Sequence, residues 1–83
     1  MYNYWLISGK IIRIKMINNS KVSISLKLEY TKKKETLDFQ FDKKILNSVS
    51  IGDEIAVKGN FIMITNENNM VPNVTQIIPM KQD

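Results

Sequence analysis

Apolar residues recur at every second position along most of the chain, the period of a strand with one buried face. The clearest run is Lys21 to Tyr30, where Val22, Ile24, Leu26, Leu28 and Tyr30 alternate with Lys21, Ser23, Ser25, Lys27 and Glu29. After the polar stretch Thr31-Lys32-Lys33-Lys34, a second alternation sets Leu37, Phe39 and Phe41 against Thr36, Asp38, Gln40 and Asp42. Together these predict a hairpin with a basic tip. A longer strand precedes it, roughly Asn3 to Met16, in which Trp5, Ile7 and Ile11 share one parity and Ile12, Ile14 and Met16 take the other. Gly9 interrupts this strand, and a glycine inside a strand whose apolar phase changes predicts a bulge or bend at that point. A strand bent in this way serves two sides of a barrel.

Asp42 to Val49 is the one helical candidate: Asp42 caps the first turn, and Ile45, Leu46 and Val49 supply an apolar side. Ile51-Gly52-Asp53 makes a turn into a strand from Glu54 to Gly59, continued by Phe61 to Thr65. Asn66-Glu67-Asn68-Asn69 reads as a polar loop, and Val71 to Ile78 as a last strand with Pro72 at its start or on an edge. The order is three strands, a short helix and two strands. That predicts an all-β fold, a five-stranded OB-fold barrel with a short helix between strands 3 and 4, in a single domain over residues 1–83. A six-stranded sandwich would need a longer chain. A domain of this size buries only about 60–65% of the surface its unfolded chain exposes, so every apolar strand face is needed.

The net charge of +4 is unevenly spread. Residues 1–34 hold Lys10, Arg13, Lys15, Lys21, Lys27, Lys32, Lys33 and Lys34 against Glu29 alone, whereas residues 35–83 hold four lysines against seven acids. A chain polarised in this way attracts a polyanion on one side without being adhesive all over. The same lysines also suit a solvated surface kept for solubility.

Catalysis is disfavoured by what is missing. The chain has no histidine and no cysteine, hence neither the commonest general base nor the best nucleophile nor a thiolate metal site. Its acids are scattered, and adjacent Asp53 and Glu54 point to opposite faces if they lie on a strand. No glycine-rich phosphate loop occurs. The expectation is a protein without enzymatic activity, cofactor, metal or small-molecule substrate. The N-terminal apolar run lacks a basic flank before it and is broken by Lys10, Arg13 and Lys15, which argues against a signal peptide or membrane span and for a cytoplasmic protein.

Two stretches resemble the bacterial single-stranded DNA-binding protein family and its short relative of the primosomal replication protein B type. Trp5-Leu6-Ile7-Ser8-Gly9-Lys10-Ile11 is similar to the family's opening strand of aliphatics, glycine and a basic residue. Val49 to Phe61, followed by Val74-Thr75-Gln76-Ile77-Ile78, resembles its glycine turn, its fourth strand ending in glycine and its closing strand. The resemblance spans nearly the whole chain, although many OB folds share the turn-and-strand signature. It implies an OB barrel, single-stranded DNA as ligand, a role in replication, recombination or repair, and a homodimer or homotetramer paired through the first strand at Tyr4, Trp5 and Leu6. The sequence departs from the family in three ways: it ends at Asp83 without an acidic tail, its loop at Asn66–Asn69 carries no lysine, and its helical segment is short.

Single-strand binding without sequence preference needs cations along the phosphates and flat side chains under the bases. The candidate cations are Lys10, Arg13 and Lys15 on the first strand, Lys27 on the polar face of the second, Lys32, Lys33 and Lys34 at the hairpin tip, and Lys43 and Lys58 beyond. The candidate aromatics are Tyr30, Phe41 and Phe61. Phe41 is ambiguous, because its parity groups it with Phe39 in a core while the resemblance places an aromatic outward there. Trp5 suits a core or a subunit interface better than stacking. RNA fits as well as DNA at this stage, since no feature marks a pocket for a 2′-hydroxyl, and a protein–protein adaptor that uses the barrel as scaffold is the reading of a different class.

Overall fold

A computed structural model describes residues 3–28, 32–33, 35–46, 48–64 and 69–80. Its five strands are β1 (Trp5–Met16), β2 (Lys21–Lys27), β3 (Thr36–Asp42), β4 (Glu54–Ile64) and β5 (Asn69–Pro79). All pair antiparallel in one open sheet of order β3-β2-β1-β4-β5. The chain is therefore all-β with the five strands that its alternation predicts.

Strand β1 holds the sheet together by pairing twice. Its first half runs beside β4, from Trp5 opposite Gly59 to Lys10 opposite Glu54. Its second half runs beside β2, from Lys10 opposite Lys27 to Met16 opposite Val22. The ladder slips between Ile11 and Arg13, so the extra residue is Ile12 and the break lies three residues beyond the expected Gly9. This slip turns Trp5, Ile7 and Ile11 inward before it and Ile14 after it. Gly9 has a different task. A Cβ there would stand 2.7 Å from the Lys27 carbonyl, so the missing side chain lets β2 close in where the two ladders meet.

The interior is the face that alternation marked. Ile11, Val22, Ile24, Leu26, Leu28, Phe41, Ile55, Val57, Val74 and Ile77 are buried, with Trp5, Ile7, Ile14, Phe39, Ile45, Leu46 and Val49 packed around them. Burying an aliphatic or Phe side chain of this kind contributes about 1.5–3 kcal/mol. Leu37, at the end of β3, remains on the surface.

The helix expected over Asp42–Val49 is a single 3-10 turn, Lys43–Ile45. Asp42 caps it as expected, its carboxylate accepting from the Lys44 N–H, but Leu46 is already extended. Ile45, Leu46 and Val49 still reach the core, two of them from beyond the turn. A short helix must offset a costly nucleus, and here the apolar side is satisfied without one. The turn at Gly52 has φ +98°, where an L side chain is strained. Pro72 and Pro79 lie on β5, an edge strand, where a missing N–H costs no ladder bond on the open side. The two edge strands, β3 and β5, approach within 8 Å Cα to Cα.

Candidate functional site

Period-2 alternation on β1, β2 and β3 builds a polar outer face opposite the core, and the pairing register arranges it in rows. Lys10, Lys27 and Thr36 form one row, Arg13, Ser25 and Asp38 the next, and Lys15, Ser23 and Gln40 a third, with Lys21 beside Asp42 at the end. The bulge at Ile12 is what brings Lys10 into line with Arg13 and Lys15, which differ from it in parity. Five cations thus occupy β1 and β2, while the hydrogen-bond acceptors Asp38, Gln40 and Asp42 occupy β3. Lys10 also stands opposite Glu54 on its other side.

Between these columns runs a groove of about 400 Å³, lined by Arg13, Lys15, Met16, Ile17, Ser23, Ser25, Asp38 and Gln40. The two serines make its floor because they are the small side chains of the middle strand. Ser25 is only 8% exposed, and its hydroxyl donates to the Asp38 carboxylate at 2.6 Å. That bond fixes one carboxylate oxygen and leaves its other lone pairs open to the groove. Met16 and Ile17 are exposed at one end. The adjoining β1–β2 connection is held by Asn18, whose Oδ1 accepts from the Ser20 N–H, the Ser20 hydroxyl and the Lys21 N–H at 2.8, 3.0 and 2.9 Å. The Lys43 N–H donates to the Ser20 carbonyl at 2.8 Å, tying the 3-10 turn to the same corner.

Lys10, Arg13, Lys15 and Lys27 therefore share one face. Lys32 and Lys33 are exposed in the β2–β3 connection at one end of it, and Lys43 is exposed on the turn at the other. From Lys27 to Lys21 the face runs about 20 Å at roughly 3.3 Å per residue. Tyr30 and Lys34 lie outside the described residues. Lys58 belongs elsewhere: it pairs opposite Leu6 on the β1–β4 side, its Nζ 5.9 Å from the centre of the Tyr4 ring.

The candidate aromatics separate. Phe41 is only 5% exposed and packs in the core, so its ring is closed to a base; parity, and not the family position, governs it. Phe61 is 40% exposed on the outer half of β4, where the Asn3 side chain pairs with its backbone in both directions, Nδ2 to the carbonyl at 2.8 Å and Oδ1 from the N–H at 2.9 Å. Of the three expected interface residues, Tyr4 and Leu6 are more than half exposed. Trp5 is turned inward: its ring stacks on Phe39, its Nε1 donates to the Asn60 carbonyl at 2.9 Å, and its partners are thus intramolecular.

Sequence reasoning missed Ser23, Ser25, Asp38 and Gln40 as a set, having read them only as the solvent side of two strands. The strand register that assembles them is the signal that would have found them. Among the described residues no three potential metal-ligating side chains come together, and no helix is long and apolar enough to cross a membrane. No protein-family model and no curated protein matches the chain.

Proposed function

We propose that the chain is an OB-type barrel that binds single-stranded DNA through its phosphates, as a homodimer or homotetramer, in cytoplasmic replication, recombination or repair. The observation that carries this reading is the row arrangement on β1 and β2, where Lys10, Arg13, Lys15, Lys21 and Lys27 line one face across a shallow groove. A strand order of β3-β2-β1-β4-β5 with its two open edges near each other supports a partly open five-stranded barrel. Contacts to phosphates release counterions, so affinity falls with salt by about 0.7 in log–log slope per phosphate on a single strand. With Phe41 in the core, fewer rings remain to stack on bases, and electrostatics carries most of the affinity.

Labelled oligo-dT titrated against a duplex of equal length at two salt concentrations tests the reading. The expected result is preference for the single strand with a slope near −4, about six phosphates. The adaptor reading draws on Ile62, Met63 and Met70, all exposed along the β4–β5 hairpin. No polyanion binding at low salt would leave that reading standing, and tight binding of a structured RNA hairpin would move the ligand to RNA.

A further inference from the structure

The outer face is divided by chemistry along its width. Its cations stand on β1 and β2, and its acceptors stand on β3. A phosphate chain is drawn to the first two strands and repelled from Asp38 and Asp42. A strand laid along the cations therefore presents its bases toward β3, across a floor of small serines. Ladder neighbours are about 4.8 Å apart, so the backbones of Arg13 and Asp38, either side of Ser25, are about 10 Å apart. That spacing admits one flat base edge-on.

We propose that this serine-floored groove reads guanine, giving one position of base preference on a surface otherwise indifferent to sequence. The proposal rests on the single-strand reading above. Its chemistry follows from which donors each base offers. A carboxylate is acceptor-only and takes two parallel donors. Guanine alone carries two adjacent donors on its pairing edge, the N1–H and the N2 amino group, with the O6 acceptor beside them. Asp38 takes the two donors, and Arg13 or Lys15 across the groove meets O6. Cytosine and adenine offer Asp38 a single amino group. Thymine offers one N–H flanked by two carbonyl oxygens, which the carboxylate repels. The Ser25 hydroxyl, bound at 2.6 Å and nearly buried, holds Asp38 in place before the base arrives, and the exposed Met16 and Ile17 give the base an apolar surface.

The test uses oligo-dT and the same oligonucleotide with guanine or inosine at alternate positions, together with free dGMP and dTMP followed by NMR. A well-formed bidentate contact separates bases by about tenfold. The guanine oligonucleotide is expected to bind about tenfold more tightly than oligo-dT, and inosine, which lacks the N2 amino group, to lose most of that gain. Asp38→Asn keeps an acceptor for Ser25 and lies on the surface, so it should fold normally; with the carboxylate's repulsion gone it should bind oligo-dT more tightly and lose the guanine preference. Ser25→Ala should reduce the preference in part. Free dGMP should shift amide resonances of Ser25 and Asp38 more than dTMP does. Equal binding of all single strands would overturn the guanine pocket and leave the single-strand reading intact. Failure of every oligonucleotide to bind at low salt would overturn both.

Discussion

Trp5 and Phe39 stack with ring centroids 5.6 Å apart and planes 17° from parallel, although the sheet's pairing places them far from each other. Phe39 pairs with Ile24, Ile24 with Ile14, and Ile14 lies nine residues along β1 from Trp5. In a flat sheet that offset alone would be about 30 Å. The sheet therefore coils tightly on its own core, and the doubly paired β1 is the strand that carries the coil. Aromatic stacking across such a curl holds two distant ladders against each other.

Removing this contact should loosen the coil. Trp5→Ala is expected to cost about 3 kcal/mol, the lower end for a large aromatic because the ring is only partly buried. A double-mutant cycle with Phe39→Leu should give a coupling of about 0.5–1.5 kcal/mol, read from urea denaturation. Additive effects would show that the two rings stabilise their strands separately.

Gly59 is the partner that lets Trp5 lie flat. A Cβ at this position would overlap both the Trp5 ring and the Asn73 carbonyl. Gly59→Ala should cost about 3 kcal/mol, at the upper end for overpacking, because one of the two obstacles is backbone. Gly52→Ala meets no atom within 4 Å and faces only the strain of φ +98°, about 1–2 kcal/mol. Thermal melts of the two variants should rank them in that order. In a Trp5→Ala background the cost of Gly59→Ala should shrink without vanishing.

Strand number, strand order along the chain and the inward residues of β2 were readable because alternation is imposed by burial of one face. The bulge was harder, since Ile11 and Ile12 are both apolar and only the ladder shows which is extra. Gly9 drew attention for the right property, a missing Cβ, but that property admits a neighbouring strand and does not break the phase. The helix was overread because Ile45, Leu46 and Val49 fit helical spacing and pack equally well from a 3-10 turn and extended chain. The groove was invisible for a different reason. Ser25 and Asp38 are thirteen residues apart, and only the β2–β3 register sets them side by side.

The β1–β4 outer face should carry self-association. Tyr4 is 59% and Leu6 57% exposed there, while the opposite parity, Trp5 and Ile7, is used by the core. Light scattering at tens of micromolar is expected to give a dimer mass, and Leu6→Asp to convert it to a monomer with the fold retained by circular dichroism. A monomer mass for the unaltered chain would rule out the interface.

The last prediction separates the two groups of cations. Arg13, Lys15 and Lys27 lie on the groove face, whereas Lys32 and Lys33 are exposed in the β2–β3 connection, next to Lys34 in the sequence. Replacing either group by glutamine should weaken binding and flatten the salt slope by about 2, at roughly 0.7 for each phosphate lost. Stability should change by less than about 0.5 kcal/mol in the tip variant, since Lys32 and Lys33 are exposed. Phe61→Leu should lower affinity and leave the slope alone, because stacking releases few counterions. If the strand follows the groove, the face variant must also lose any preference among bases, for without Arg13 and Lys15 nothing holds the backbone beside Asp38. The tip variant should keep that preference at lower affinity. An unchanged slope in the face variant would move the phosphate path to the tip and away from the groove.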